Sequence, residues 1–185
     1  MFGLKKRQMT IVEYEKTTGV HTILINNARY QKGFLNVVEK LIKSFWDDKE
    51  VFFGFCRTDG VNLTLKQQKR LENEIPAFFQ KNGDFQNLSE YLTAAKIKLN
   101  NDVSDYIALI FDYYLETVMF SPKIDWENFK QYYSEYQEHR VDEIILNHFA
   151  EILFYYFDSG DLMICFNPQV YSSQEVRSMV ERSFE

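Results

Sequence analysis

The sequence predicts a single α+β domain spanning residues 1–185, helix-rich with a small sheet of about four strands. A chain of 185 residues suits one domain. Hydrophobic residues make up 45% of it and aromatic residues 17%, which is enough for a packed core and excludes a disordered chain. Gly (7) and Pro (3) are scarce, and this favours helices over a sandwich or barrel with many turns.

Four short segments have the pattern of β-strands. Thr10–Glu15 and Val20–Asn26 are β-branched runs with alternation, and the Lys-Thr-Thr-Gly sequence between them predicts a hairpin. Val51–Cys56 and Leu162–Asn167 are apolar runs next to turn residues, which is typical of buried strands.

Apolar residues at three- and four-residue steps predict helices through most of the remaining chain. In the first hundred residues these are Tyr30–Trp46, a helix from the capping box of Thr64 and Gln67 to Ile75, Pro76–Lys81 and Ser89–Leu99. After residue 102 they are a helix from Val103 to Val118, a helix capped by Asp125, a stripe from Val141 to Tyr156, and Ser173–Phe184 with a capping box of Ser172 and Glu175.

One part of this pattern allows two interpretations. Phe154–Phe157, the Asp-Ser-Gly-Asp turn and Leu162–Phe166 would also suit a β-hairpin. The stripe that begins at Val141 is long, so we expect helix at least to Leu153.

The charge of the chain is divided unequally between its two halves. Residues 1–100 carry 16 Lys and Arg against 11 Asp and Glu, a balance of +5, whereas residues 101–185 carry 5 against 16, a balance of −11. The acidic half also holds 18 of the 31 aromatic residues. Such an imbalance bears on partners rather than on fold, and it predicts a surface that binds something basic.

No motif of a catalytic, nucleotide or metal site accompanies this imbalance. The seven glycines are never closely spaced, so no loop can cradle a phosphate, and no serine lies in a nucleophile elbow. His139, Asp142, Glu143 and His148 have ligand chemistry but not the spacing of a known metal motif. We therefore expect a protein that is not an enzyme and needs no cofactor or metal.

Other features of the composition bear on location and partner class. Cys56 and Cys165 lie in apolar runs, and we expect both to be buried, reduced thiols, with a disulfide between neighbouring strands as the alternative. Neither a signal peptide nor an apolar run of about 20 residues is present. We therefore expect a cytoplasmic protein that does not bind a membrane. We expect no binding of nucleic acid, because the net charge is −6.

The predicted helix that begins at Asp125 and the turn that follows it form the candidate partner surface. On a helix, Glu127, Glu135 and Glu138 would share one face, and the aromatic residues Trp126 and Phe129 would lie on the opposite one. Carboxylates on successive turns, flanked by tyrosines, suit a partner that presents Lys and Arg. The predicted partner-binding residues are Asp125, Glu127, Tyr132, Glu135, Glu138, Asp142 and Glu143.

A small, acidic, aromatic-rich domain without catalytic motifs is similar in character to bacterial toxin-immunity proteins of the contact-dependent inhibition and polymorphic-toxin types. The resemblance implies binding to a cognate toxin domain, often a basic nuclease, and blocking of its active site. Leu71–Asp84 (LENEIPAFFQKNGD) also resembles the helix–proline–helix–Asn-Gly segment of one superfamily of immunity proteins. The helices predicted after it depart from the strand-rich continuation of that superfamily, and the fold is therefore not adopted.

Three other classes of function use the same features. A regulatory or adaptor protein would present the acidic surface to a different protein, and a small enzyme would assemble its site from residues distant in sequence. In self-association, the basic half of one molecule would bind the acidic half of the next.

Overall fold

The computed structural model describes residues 8–15, 19–46, 50–56, 64–69, 73, 77, 83–87, 92–98, 116–120, 150–156 and 159–185. Strands and helices both occur in these ranges, so the predicted α+β class is confirmed. The strands are β1 (Thr10–Glu15), β2 (His21–Asn26), β3 (Glu50–Cys56), β4 (Gly83–Asn87), β5 (Leu92–Lys98), β6 (Glu116–Phe120), β7 (Ile152–Tyr156) and β8 (Leu162–Phe166). The α-helices are α1 (Phe34–Trp46), α2 (Leu65–Lys69) and α3 (Ser173–Phe184).

The strands form one sheet in the order β1-β2-β8-β7-β6-β3-β5-β4. Every neighbouring pair in this order is antiparallel. The β1–β2 and β7–β8 pairs are hairpins, and β8 brings the end of the chain back beside β2. The order therefore joins residues from both ends of the sequence in adjacent strands.

The centre of this sheet is buried on both faces at β7 and β8. Phe154 and Tyr156 point to one face and Leu153 to the other, because successive side chains alternate along a strand, and all three are buried. All five residues of β8 are buried as well. Burial on both faces explains the unbroken apolar sequences ILFYY and LMICF.

Helices α1 and α3 lie on the face to which Phe154 and Tyr156 point, called the helix face below. The ring of Phe154 lies 5.6 Å from that of Phe45 and 4.7 Å from that of Trp46, and Phe34 lies 5.8 Å from Tyr156. The buried residues of α1 are the apolar stripe of its sequence: Phe34, Val37, Val38, Leu41, Ile42, Phe45 and Trp46.

The chain between β2 and α1 is held against the β7–β8 turn. Asn27 adopts a left-handed conformation, and its backbone N–H donates to Asp161 Oδ1 at 2.6 Å. The Arg29 N–H donates to the Gly160 carbonyl at 3.0 Å. These bonds fix the entry to α1, which begins after Gly33 rather than at Tyr30 as the spacing predicts.

All four predicted strands are present with bounds within a residue of those expected. The last helix and its capping box agree with the prediction, and the helix predicted after Thr64 begins at Leu65. The sheet continues beyond these four strands with β4, β5 and β6, which sequence reasoning did not find, and with β7, which it offered as one of two interpretations.

Two helix predictions in the middle of the chain are wrong. Leu92–Lys98 is β5 rather than part of a helix over Ser89–Leu99, because it pairs with β3 on one side and β4 on the other. Glu116–Phe120 is β6, so a helix cannot extend to Val118. The apolar residues of both segments fit either period, and the pairing of neighbouring strands decides between them.

The helix predicted from Val141 does not reach Leu153. Ile152–Tyr156 is β7, paired with Leu162–Phe166 of β8, so the hairpin interpretation of this region is correct. A short apolar run that is buried on both faces has no period of its own, and this is why its spacing resembled a helix.

The two cysteines are distant from each other across the sheet. Cys56 lies in β3 and Cys165 in β8, with β6 and β7 between them. Three strand spacings separate their Cα atoms by at least about 14 Å, whereas a disulfide needs about 5.5–6 Å. Cys165 is a buried free thiol, and the alternative of an intramolecular disulfide is excluded.

Candidate functional site

The seven predicted partner-binding residues lie in the segment 121–149, called the acidic segment below, which is outside the described residues. They are Asp125, Glu127, Tyr132, Glu135, Glu138, Asp142 and Glu143. Their shared surface stays a prediction. The described structure places the strands on either side of the segment.

The acidic segment connects two strands that are neighbours in the sheet. Phe120, the last residue of β6, pairs with Leu153 of β7. Antiparallel neighbours are usually joined by 2–5 residues, whereas 29 residues lie between 121 and 149. The helix predicted from Asp125 and the start of the stripe predicted from Val141 both fall within this connection.

The base of the acidic segment lies at one end of the sheet. At that end Ile152, Phe166, His21 and Glu15 pair in a row across β7, β8, β2 and β1. We call this the Glu15 end of the sheet. His21, Tyr171 and the start of α3 are among the described residues at this end.

His21 lies between two polar groups at the Glu15 end. Its Nδ1 is 3.0 Å from the Ser173 Oγ at the start of α3, a hydrogen bond whose direction depends on the histidine tautomer. Its Nε2 is 3.7 Å from Glu15 Oε2, and its ring packs on Phe166 at 5.8 Å. Phe166 is fully buried, so the ring of His21 packs on the core while its two nitrogens approach polar groups at the edge of the sheet.

The residue types of this cluster are those of a serine nucleophile, a histidine base and a carboxylate, but its geometry differs from such an array. The carboxylate that orients a catalytic histidine lies within about 2.6–3.2 Å of it. Glu15 is farther than that from His21, and its side chain is 62% exposed. The cluster connects the β1–β2 hairpin to the first turn of α3, through the contacts of His21 with Glu15 and Ser173.

Tyr171 and Glu151 interact electrostatically at the same end of the sheet. Burial of Tyr171 raises the pKa of its hydroxyl, and the nearby negative charge of Glu151 raises this pKa further. The ring of Tyr171 packs edge-on against Phe45 at 5.7 Å. The N–H of Asn167 donates to the Glu151 carbonyl at 2.9 Å, which holds the chain that leaves the acidic segment beside the turn into α3.

The start of α3 is fixed by Ser172 and Glu175. The Ser172 hydroxyl accepts the Glu175 N–H at 3.3 Å, and the Glu175 carboxylate accepts the Ser172 backbone N–H at 2.9 Å. The carboxylate also accepts the Ser172 hydroxyl proton at 2.6 Å. This hydroxyl bond, and next the backbone bond, lower the pKa of Glu175.

Several carboxylates of the acidic half already have structural partners in the described residues. Asp161 accepts from the Asn27 N–H and the Ser159 hydroxyl. Glu175 caps α3, and Glu181 accepts from Arg177 at 2.9 Å. Of the 16 acidic residues after residue 100, ten lie between Asp102 and Glu143, and six of these belong to the acidic segment.

Sequence reasoning did not find the contact between His21 and Ser173. The two residues are 152 positions apart, and their contact requires the β2–β8 pairing together with the turn that leads from β8 into α3. Ser173 directly follows the predicted cap Ser172, which places it at the first turn of a helix. Nothing in the sequence places His21 beside it.

No group of three His, Cys, Asp or Glu side chains arranged to hold a metal ion occurs in the described ranges. None of the helices in those ranges has the length and apolar character that a bilayer crossing requires. No protein-family model, curated protein or solved structure matches the chain.

Proposed function

We propose that this chain is a binding protein that neutralises a basic partner, and that it acts in the cytoplasm as an immunity protein that blocks a bacterial toxin domain. The observation that carries the proposal is the imbalance of 5 basic against 16 acidic residues after residue 100. An imbalance of this size favours association with a protein of opposite charge.

The position of the acidic segment in the chain supports the proposal. Its two ends meet strands that pair at Phe120 and Leu153. The adjoining β7 and β8 are buried on both faces and packed under α1. A firm base of this kind reduces the conformational entropy that is lost when a partner binds.

Each of the proposed surface groups has a separate physical task. Glu127, Glu135 and Glu138 steer a cationic partner and raise its association rate. Tyr132 supplies aromatic area for a packed interface centre, where most of the binding energy of an interface is found.

The resemblance at Leu71–Asp84 also supports an immunity function. The superfamily that has this helix–proline–helix–Asn-Gly segment continues with strands. In this chain β4 begins at Gly83, within the segment, and β5 follows it, where the sequence predicted a helix over Ser89–Leu99. The helix predicted from Asp125 lies outside the described residues.

Co-expression with the product of the neighbouring gene tests the proposal. We expect a basic protein that is toxic when expressed alone, harmless with this chain, and eluting with it as one complex from a sizing column. The matched control co-expresses the same toxic protein with an unrelated acidic domain, which should give no protection. A neighbouring product that is neither toxic nor bound would contradict the immunity function.

A further inference from the structure

Strand β1 ends the sheet, and its side chains are unusually exposed for a strand. Five of its six residues are exposed and the sixth is half-buried. Its neighbour β2 has three buried residues and three half-buried ones. In the described sheet β1 pairs with β2 alone, which leaves its outer edge as a template for another strand.

The alternating pattern of hydrogen bonds across the sheet shows which backbone N–H and C=O groups of β1 face its outer edge. The Asn167 N–H donates to Glu151 O, and these residues are in register with the β7–β8 pairs. In an antiparallel ladder, hydrogen-bonded and non-bonded pairs alternate. The same alternation applies in turn to the β7–β8, β8–β2 and β2–β1 pairs. It places the N–H and C=O groups of Thr10, Val12 and Tyr14 on the side of β1 that faces β2. The N–H and C=O of Ile11, Glu13 and Glu15 therefore point away from the sheet.

The side chains of β1 favour a cationic strand at this edge. Glu13 and Glu15 lie on the helix face, with side chains 34% and 62% exposed. Val12, on the other face, is 44% exposed. The strand TIVEYE contains no Lys or Arg, although Lys is a common protection of open edges. Lys or Arg opposite Glu13 and Glu15 would form favourable cross-strand pairs.

The contacts that Glu13 and Glu15 already make leave room for such a partner. Arg177 approaches Glu13 at 4.0 Å, and that arginine side chain is 46% exposed. His21 approaches Glu15 at 3.7 Å. The exposed ion pair of Arg177 and Glu13 contributes little stability, and the distance from His21 to Glu15 exceeds that of a hydrogen bond, so exchanging these contacts for cross-strand pairs costs little.

The edge lies within reach of the acidic segment. Glu15 belongs to the same cross-strand row as Ile152 of β7, three strands away. Three strand spacings are about 14 Å, and one partner that buries about 800 Å² on each side spans more than that distance.

We propose that β1 is a strand-addition site, at which an edge strand of the basic partner pairs antiparallel with the outward groups of Ile11, Glu13 and Glu15 and places Lys or Arg opposite the two carboxylates. The inference rests on the proposed function and adds a second contact to it. A second copy of the chain suits the edge less well, because two β1 strands about a twofold axis place Glu13 opposite Ile11, Glu13 or Glu15, with no cation in any of these registers.

A short cationic peptide, acetyl-Lys-Val-Lys-Val-Lys-Val-amide, serves as the probe for this site in the full chain. Hydrogen exchange of the Ile11, Glu13 and Glu15 amides, followed by NMR, should slow about twofold when the peptide concentration equals its Kd. The amides of Val12 and Tyr14 should be unchanged, because they already bond to β2. The same peptide with all three lysines methylated at the backbone nitrogen keeps its charge, places methyl groups where the bonds to β1 would form, and should give no protection.

Two variants separate the backbone contribution from the charge. Glu13→Pro removes an outward N–H and leaves the ladder with β2 intact, so the protection should be lost. Glu13→Ala keeps the N–H and should retain part of it. If Glu13→Pro does not fold, the double variant Glu13→Lys/Glu15→Lys replaces it, and it should prefer acetyl-Glu-Val-Glu-Val-Glu-Val-amide.

Two outcomes would overturn strand addition. The first is equal binding of the two cationic peptides without protection of the three outward amides, which would leave the charge-based proposal standing. The second is a wild-type dimer that Glu13→Pro converts to a monomer, because the occupant of the edge would then be a second copy. Co-expression with the neighbouring gene product does not depend on β1, so the proposed function is judged separately.

Discussion

Ser172 and Glu175 hold the first turn of α3 by reciprocal hydrogen bonds, and Ser172→Ala removes the bond to the Glu175 N–H. We expect this variant to lower the free energy of unfolding by about 1 kcal/mol, measured by urea unfolding. Gln174→Ala, an exposed change in the same turn, is the matched control and should have little effect. Equal loss in both variants would mean that the cap is not the cause.

The same capping box predicts a dependence of stability on pH. The pKa of Glu175 is lower in the folded chain than its ordinary value of 4.5, chiefly through the Ser172 hydroxyl. The contribution of Glu175 is therefore present above pH 4.5 and is lost as the pH falls through the lower, folded value. Glu175→Gln should show a smaller loss of stability between pH 5 and pH 3 than the unchanged chain does.

Gly160 has little room for a side chain and has a backbone conformation that suits glycine. Its φ is +91°, and an added Cβ would lie 3.1 Å from Arg29 Cβ and 3.2 Å from the Tyr30 ring. Gly33, with φ +77°, has no atom within 4 Å of such a Cβ. We expect Gly33→Ala to cost about 1–2 kcal/mol and Gly160→Ala about 1 kcal/mol or more beyond that, measured by thermal unfolding. Equal costs would contradict the close packing of this turn.

Single residues differed in how far the sequence revealed them. The Ser172–Glu175 cap was predictable because both partners lie within one helical turn, at a fixed spacing. The hydrogen bond between Asn27 and Asp161 and the contact of His21 with Ser173 join residues more than 130 positions apart. Contacts of this kind follow from the order of strands in the sheet, which no local pattern encodes.

At the scale of elements, the packing of α1 on β7 is the contact that sequence reasoning did not predict. Phe45 and Phe154 meet edge-to-face at 5.6 Å. In a double-mutant cycle, Phe45→Leu and Phe154→Leu should each destabilise the chain and show a coupling energy of about 0.5–1.5 kcal/mol. A cycle of Leu35→Ala with Phe154→Leu is the control and should give a coupling near zero, because Leu35 is exposed.

Elements with a clear period were predicted from the sequence, and elements without one were not. The stripe of α1 and the hairpin of β1 and β2 agree with the structure. β5 has the sequence LTAAKIK, whose alanines have a high intrinsic helix propensity. It is a strand because β3 and β4 lie on either side of it. β7 is apolar throughout, and burial on both faces removed the alternation that marks a half-buried strand.

At the scale of the whole molecule, the sheet order keeps the cysteines apart. Because β6 and β7 separate the strands of Cys56 and Cys165, mild oxidation should form no disulfide within one chain. Mass spectrometry under denaturing, non-reducing conditions should find both thiols free. The buried Cys165 should react with a thiol reagent only after denaturation, and rapid labelling of it in the folded chain would contradict its burial.

The sequence alone shows that the charge is divided between the two halves of the chain. The sheet order adds the position of the acidic segment in the fold. The acidic segment lies between paired strands, and its base shares one end of the sheet with Glu15. The surface formed by Glu127, Glu135 and Glu138 is still a prediction from helical spacing. The proposed function depends most on this surface.

The rate at which the chain associates with its basic partner, measured at low and high salt, tests this dependence most directly. The triple variant Glu127→Lys/Glu135→Lys/Glu138→Lys should associate about tenfold or more slowly at low salt, with a much weaker salt dependence. The control is Glu181→Lys/Glu185→Lys on the exposed end of α3, which should change the rate far less for each charge reversed. Unchanged association of the triple variant, or equal slowing per charge in the control, would contradict binding through the acidic segment.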